Sequence, residues 1–397
     1  MNVDRDLLSP EDPARRFAAM AWLRKNDPIH RVGGPDGPIY LASYAAVAEA
    51  LPQVDVFSGG VGAADVAPDL QALNGVAEPR HGRIRRIVNG LIAPHRSGEV
   101  RPFLEGLCSD RLDLVDSNSS GPVDMMSAFI DYVPSSAICW LAGWDPADAI
   151  QLYRWTVEVC EKAMHMQPGN AGSIAELVPA FGDYVEARVS ERIGRGRSSW
   201  PDDGLTRLLT TEVDGETLSP TAVKTNLLFL LGAGSETSRD MMGLLLFTLA
   251  RDPDLYTLIR ADRSLLSSAT QEALRLCSPT QFMVRRCQES VRIQGTEIMA
   301  GSIVYLGLAS ANRDEDVWEE AATFRLDRRN ASDHLAFGAG PHVCPGTSLV
   351  RLEAKTAFNA LFDRYAQIKL AQAGPFDPIA TPMFYGPSSL PLHLTRG

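Results

Sequence analysis

Long apolar runs are missing from this chain. The longest, LLFLLGAG and MMGLLLFTLA, are interrupted well short of the roughly 20 residues that a membrane-spanning helix needs. The first residues, MNVDRDLLSPEDPARR, have no apolar segment, so neither a signal peptide nor a membrane anchor is expected, and the expected location is cytoplasmic. A basic excess is missing too. Against 38 Lys and Arg stand 49 Asp and Glu, a net charge of −11, which argues against a nucleic-acid partner. Paired cysteines are absent. Cys108, Cys139, Cys160, Cys277, Cys287 and Cys344 form no C-x-x-C, which excludes a zinc knuckle or a dithiol redox motif of the usual spacing. In a reducing compartment such thiols pack as small apolar groups, and that reading covers all but Cys344. Repeats and low-complexity linkers are also lacking, and 194–204 (GRGRSSWPDDG) reads as an exposed loop rather than a boundary.

What is present is mostly helical pattern. Periodicity near 3.6 is read over 44–51, 81–91, 101–115, 125–141, 147–166, 175–193, 254–260 and 265–276. The longest helix opens at Ser219-Pro220, a capping residue followed by proline at the first helical position, and is expected to run to about Ala250. Short strands are expected over 29–44, around a Gly/Pro/Asp turn, and over 292–305, punctuated by Gly295 and Gly301. The expectation is one large domain, 1–397, mainly α with a small β region.

The segment HLAFGAGPHVCPG, 334–346, holds one cysteine in a tight glycine frame, Phe337-x-x-Gly340-x-x-x-Cys344-x-Gly346, ahead of a helical pattern. A cysteine at the mouth of a helix meets amide groups and a dipole that favour its thiolate. Glycines let backbone approach a flat object closely, and Phe337 offers an apolar face. The combination suits a thiolate that holds haem iron. The plainer alternative is a β-turn before an ordinary helix with a buried thiol.

The long helix contains NLLFLLGAGSETSRDMMGLLLFTL, apolar nearly all round and so expected in the core. Gly232 and Gly234 each weaken it, and Glu236 is expensive to bury unless paired or hydrated. Thr237 and Ser238 bring hydroxyls able to bond back to helix carbonyls and open the helix locally. Three unfavourable choices in a row point to function. A glutamate at a solvated kink is the plainer alternative.

Together these segments resemble the haem-thiolate monooxygenases, the cytochromes P-450 of soluble bacterial type, through essentially the whole chain. The resemblance implies that family's fold, with haem b (iron protoporphyrin IX) buried between the long central helix and the helix after the cysteine loop. By it Cys344 is the axial iron ligand, with Phe337, Gly338 and Ala233 against the haem. Ala233-Gly234 is the small pair that makes room, and Glu236 and Thr237 are the catalytic acid–alcohol pair that supplies protons while dioxygen is activated. His81 and Arg85, spaced i, i+4, are matched to one propionate, Arg285 to the other, and His342 is a further propionate partner. Arg286, next in an extended segment, points to the opposite face. Glu272 and Arg275, with Arg328, match a buried ion-pair set that braces the cysteine loop, and 311–314 (ANRD) has a fold role.

The resemblance also implies a substrate pocket lined by the loop 59–76, by Phe229, Gly232, Ala233, Thr280, Phe282 and Met283, and by the turn Met383-Phe384. These segments carry no Lys, Arg or His, and Asp65 and Asp69 are their acids. A buried carboxylate without a partner is disfavoured, so a neutral, lipophilic molecule is expected, terpenoid-like or a substituted aromatic. Lys162 and His165 are the cations placed to contradict this. The implied reaction is hydroxylation with dioxygen and two electrons from separate proteins, a ferredoxin and its reductase, by a monomer. Arg83, Arg86, Arg96, Arg101, Arg351 and Lys355 are expected to form a basic patch for that ferredoxin. Oxidative demethylation, desaturation or phenolic coupling are the rival reactions. A haem sensor is the rival of another class, against which the Glu236–Thr237 pair argues.

Overall fold

The computed structural model describes residues 2–59, 66–118, 121–164 and 173–397. Its axis is the central helix Pro220–Arg251, whose 32 residues span about 48 Å at 1.5 Å per residue. The Ser219 hydroxyl accepts from the Ala222 N–H at 3.1 Å, and Pro220 occupies the first position, where no N–H is needed. The helix stops where Asp252 turns to cap the next one, Pro253–Ala261. Around it pack the helices Tyr132–Ala142, Ala149–Met164, Pro179–Gly194, Leu265–Cys277 and Thr347–Arg364, the last following the cysteine loop. Leu227, Leu231, Met241, Leu245 and Leu249 join residues of those helices in the main hydrophobic cluster.

The strands form small sheets at the periphery. In order along the chain they are β1 (Ile29–Arg31), β2 (Ile39–Leu41), β3 (Phe57–Ser58), β4 (Val123–Asp124), β5 (Met283–Cys287), β6 (Val291–Ile293), β7 (Thr296–Ile298), β8 (Ile303–Leu306), β9 (Tyr365–Leu370) and β10 (Pro391–Arg396). One sheet runs β1-β2-β8-β5-β3, with β2 and β8 parallel, and the others are β4-β10-β9 and β6-β7. In β5, Met283 pairs with Leu306 and Arg285 with Val304. Side chains alternate, so Met283 and Arg285 leave the sheet together on the face opposite Phe282 and Val284. Among the described residues no helix is long and apolar enough to cross a membrane.

Several boundaries differ from the periodic reading. The stretch 125–141 is a π-helical turn, Met126–Ile130, followed by the helix Tyr132–Ala142. The stretch 175–193 breaks at Val178, held at φ −131 by Pro179, so that Ile174–Leu177 and Pro179–Gly194 are separate helices. Residues 165 and 166, the expected end of another helix, lie outside the described residues. The helices Val3–Leu7, Pro13–Asn26, Pro94–Glu99 and Gly204–Thr210 and the β9–β10 pair were not expected.

Candidate functional site

The cysteine loop is shaped by backbone that only glycine adopts easily. Gly338 and Gly340 have φ of +68 and +72, and a Cβ on Gly340 would sit 2.7 Å from Pro52 Cα. The loop then closes on itself, the Cys344 N–H donating to the Phe337 carbonyl at 2.8 Å. Thr347, at the start of the helix Thr347–Arg364, donates its hydroxyl to the Cys344 carbonyl at 2.9 Å. Cys344 is half-buried and its neighbour Val343 is exposed. Burial pushes the Cys344 thiol up, while the Gly346 N–H and Arg85 pull the other way. The expected preference for thiolate at the helix mouth is therefore outweighed by desolvation. A cation at the sulfur is what would remove its proton.

Two arginines and two histidines converge beside the loop. His81 is buried, takes Glu78 Oε1 at 2.8 Å on Nδ1, and lies 4.1 Å ring to ring from His342. Burial, then the charges of His81, Arg285 and Arg85, lower His342 to about 4, and its Nδ1 is buried with no partner among the described residues. Arg85 donates to the Val343 carbonyl. Arg285 is 7% exposed, yet it meets only the Val284 carbonyl at 2.9 Å and Met283 Sδ at 3.7 Å. Among the described residues no carboxylate pairs with it. A guanidinium this buried and unpaired is costly unless an anion arrives. Four groups around one point fit the carboxylates that a haem would bring to this loop. Arg286 stands on the other face of β5, as expected from alternation.

The central helix turns two faces to its surroundings. Phe229, Ala233 and Thr237, spaced i, i+4, form an accessible stripe, with Ala233 exposed in the middle of a largely buried helix. The Thr237 hydroxyl bonds back to the Ala233 carbonyl at 3.1 Å, but the helix continues unbroken, so the expected local opening does not occur. Gly232 and Gly234 are partly accessible on either side of that stripe. A Cβ on Gly232 would meet Thr156 Cγ2 at 3.4 Å and one on Gly234 would meet Ile138 at 3.4 Å, so each also lets a neighbouring helix approach.

Glu236, 6% exposed, lies on the Gly232 side. Its Oε2 accepts from the Cys160 thiol at 3.0 Å. Burial, then the neighbouring charge of Asp240, raises it to about 7. Asp240 is fully buried and is raised to about 6 by desolvation, which outweighs Arg239 at 2.8 Å. Arg239 in turn holds Asp131 at 2.8 Å and the Pro387 carbonyl at 2.8 Å.

Of the remaining expected pocket residues, Thr280 pairs with Phe384 in an isolated bridge, and the Gln281 N–H donates to the Met383 carbonyl at 2.7 Å, so the two segments are joined. Thr280, Met283, Met383 and Phe384 are partly accessible. Phe282 is not. It is 4% exposed, packs on Tyr305 at 4.9 Å in the N-terminal cluster and leaves β5 on the face opposite Met283, so it is a core residue rather than a lining one. In the loop, Leu73 and Val76 are buried in the main cluster, while 60–65, with Asp65, lie outside the described residues, as does His165.

Glu272, Arg275 and Arg328 meet in one buried ion-pair set. Arg275 grips Glu272 with two 2.8 Å bonds at zero exposure for both side chains, and Arg328 Nε adds bonds of 3.0 and 3.1 Å. Arg275 also donates to the Asn312 and Ala321 carbonyls, and the Asn312 carboxamide oxygen accepts from the Leu335 N–H at 2.7 Å. His334 bonds Gln271 at 3.1 Å. The loop is thus tied at its entry to the helix Leu265–Cys277. Sequence reasoning missed Cys160, Asp240 and Glu353. Only Asp240 had a visible signal, an acid four residues after Glu236 in an apolar helix.

A half-buried thiol on a glycine loop, an exposed small residue on the facing helix and a cluster of two arginines and two histidines are an arrangement that a haem-thiolate protein would need. The family model for cytochrome P450 matches residues 161–390. A steroid C26-monooxygenase of Mycolicibacterium smegmatis is 29% identical over 95% of this chain and 92% of its own. A vitamin D(3) 25-hydroxylase of Pseudonocardia autotrophica is 33% identical over 89% and 87%. Among solved structures, CYP109E1 from Bacillus megaterium in complex with testosterone superposes with a TM-score of 0.82 at 25% identity, covering 95% and 98% of the two chains. This chain belongs to the cytochrome P450 family, with that family's fold, a haem b cofactor and monooxygenase activity.

Proposed function

We propose that the enzyme hydroxylates a neutral, lipophilic molecule of modest size, terpenoid-like or a substituted aromatic, as one haem domain over 1–397. Its haem supplies the oxygen-activating iron. In this reading Cys344 holds the iron, Phe337, Gly338 and Ala233 lie against the haem, and His81, Arg85, Arg285 and His342 hold its propionates. Glu236, near neutrality in its proton affinity, and Thr237 deliver protons, which is general acid work at a matched pKa. Glu272, Arg275 and Arg328 keep the cysteine loop in place. Electrons come from a ferredoxin and its reductase, and the enzyme works as a monomer.

The observation that carries the substrate class is the state of the cations. Lys162 is drawn to the surface, donating to the Leu177 carbonyl at 2.9 Å and pairing with Glu158 at 2.7 Å. Asp69 is held by Arg80 and by the Ser219 hydroxyl at 2.6 Å. The described lining segments carry no Lys, Arg or His to pair with a carboxylate, and apolar and sulfur groups make up much of them. Relatives named for steroid and vitamin D hydroxylation support a compact polycyclic substrate.

The test titrates the haem-loaded protein with a neutral steroid and its side-chain carboxylic acid, following the haem spin-state shift. Each is then turned over with ferredoxin and reductase, and products are analysed for one added oxygen. The neutral compound is expected to bind and to be hydroxylated with well-coupled electron use. Tight binding and coupled turnover of the acid, with the neutral compound inert, overturn the reading.

A further inference from the structure

The helix Ala149–Met164 and the central helix meet along two short stripes. On the first, Thr156 and Cys160 stand one turn apart; on the second, Gly232, Glu236 and Asp240 do. A Cβ on Gly232 would stand 3.4 Å from the Thr156 methyl, so only a residue as small as glycine or alanine fits at this crossing. One turn on, the Cys160 thiol sits on Glu236 Oε2 at 3.0 Å. Asp240 fits the turn beyond because Gly386 leaves room, since a Cβ there would be 2.3 Å from Asp240 Oδ1. A thiol is a weak acceptor, so toward the ionised carboxylate it stands as the donor.

We propose that Cys160 is a positioning residue for the Glu236 carboxyl, fixing its rotamer through the S–H donated to Oε2 and leaving Oε1 for proton exchange. The proposal rests on the proton-delivery reading of Glu236. Cys160 is not itself a proton source, because burial and the Glu236 charge push its thiol far above the ordinary range. The groups facing Glu236 are Asp240 and Arg239 on its own helix, and Cys160, Glu161 and Tyr153 on the helix Ala149–Met164. Asp131 acts through Arg239, and Glu353 of the helix Thr347–Arg364 stands on the Ser238 side. The thiol favours the ionised carboxyl, so its loss strengthens proton binding at Glu236 and moves the Glu236-dependent limb of the pH profile upward.

Infrared spectra of the haem-loaded protein isolate the Cys160 S–H stretch as the difference between wild type and Cys160→Ala. In Glu236→Gln the band is expected to move to higher frequency, because a neutral amide is a weaker acceptor. In turnover, the alkaline limb of coupling, read as product against released peroxide, shifts up by about one pH unit in Cys160→Ala. Cys160→Ser, which keeps a donor, is expected to restore it. A band unmoved in Glu236→Gln, or a limb unmoved in Cys160→Ala, overturns the positioning role. Coupling indifferent to Glu236→Gln while the band still moves overturns the proton-delivery reading, and the proposal with it.

Discussion

At Glu353 a carboxyl stands with no exposure and, among the described residues, with no hydrogen-bond partner of good geometry for either oxygen. Desolvation raises it to about 8, against a weaker opposing pull from the nearby Ser238 hydroxyl. An acid that binds its proton more tightly when folded adds stability below its unfolded pKa, near 4.5, and that contribution is lost as pH rises toward 8. Through that window one such group contributes a slope of about 1.4 kcal/mol per pH unit. Glu353→Gln is therefore expected to flatten the fall of the thermal midpoint between these pH values, measured by circular dichroism on the haem-loaded protein. Parallel curves for the two proteins would sink the assignment of a neutral Glu353. Nothing in the local pattern foretold this residue, since a glutamate nine residues after Cys344 in a charged helix reads as surface.

Among the elements, the cysteine loop gives a graded expectation. Ala at Gly338 meets nothing closer than 3.9 Å and suffers only the left-handed backbone, about 1–2 kcal/mol. Ala at Gly340 adds a collision with the Pro52 backbone, which cannot rotate away. Gly340→Ala is thus expected to lose more haem per polypeptide, and more thermal stability, than Gly338→Ala. Equal losses would mean that the approach to Pro52 does not matter. The loop was legible because its spacing is local. So was the central helix, whose cap and proline announce its start. The helix Pro13–Asn26 was not, although Asp12 caps it, because its inward stripe of Arg16, Ala19, Met20 and Leu23 opens with a charged residue. The Cys160–Glu236 contact joins residues 76 apart, and β10 reaches β4 across a still longer separation. Periodicity within one segment carries no information about either.

For the whole molecule, the expected basic surface is thinner than its residue count suggests. Arg83 pairs with Glu216 at 2.5 Å, Arg86 with Asp214 at 2.5 Å, and Arg96 with Glu99. Arg101, Arg351 and Lys355 are exposed without an acid partner among the described residues, and Arg351 and Lys355 share one face of the helix after the loop. Steering of an acidic ferredoxin is thus expected to be modest. Its rate of reducing the haem should fall as salt rises, and the double variant Arg351→Glu, Lys355→Glu should flatten or invert that dependence in stopped-flow measurements. A wild-type rate indifferent to ionic strength would remove this face from consideration.

The cluster of His81, Arg85, Arg285 and His342 has a consequence for the life of the polypeptide in a cell. If the haem carboxylates sit among them, as proposed, they compensate the two arginines, of which the buried Arg285 otherwise carries its desolvation alone. Occupancy by the prosthetic group then stabilises the folded chain in proportion to the logarithm of its free concentration over the dissociation constant. Where that group is scarce, less of the newly made chain is expected to survive proteolytic surveillance, so the level of this polypeptide should follow the supply of iron and porphyrin.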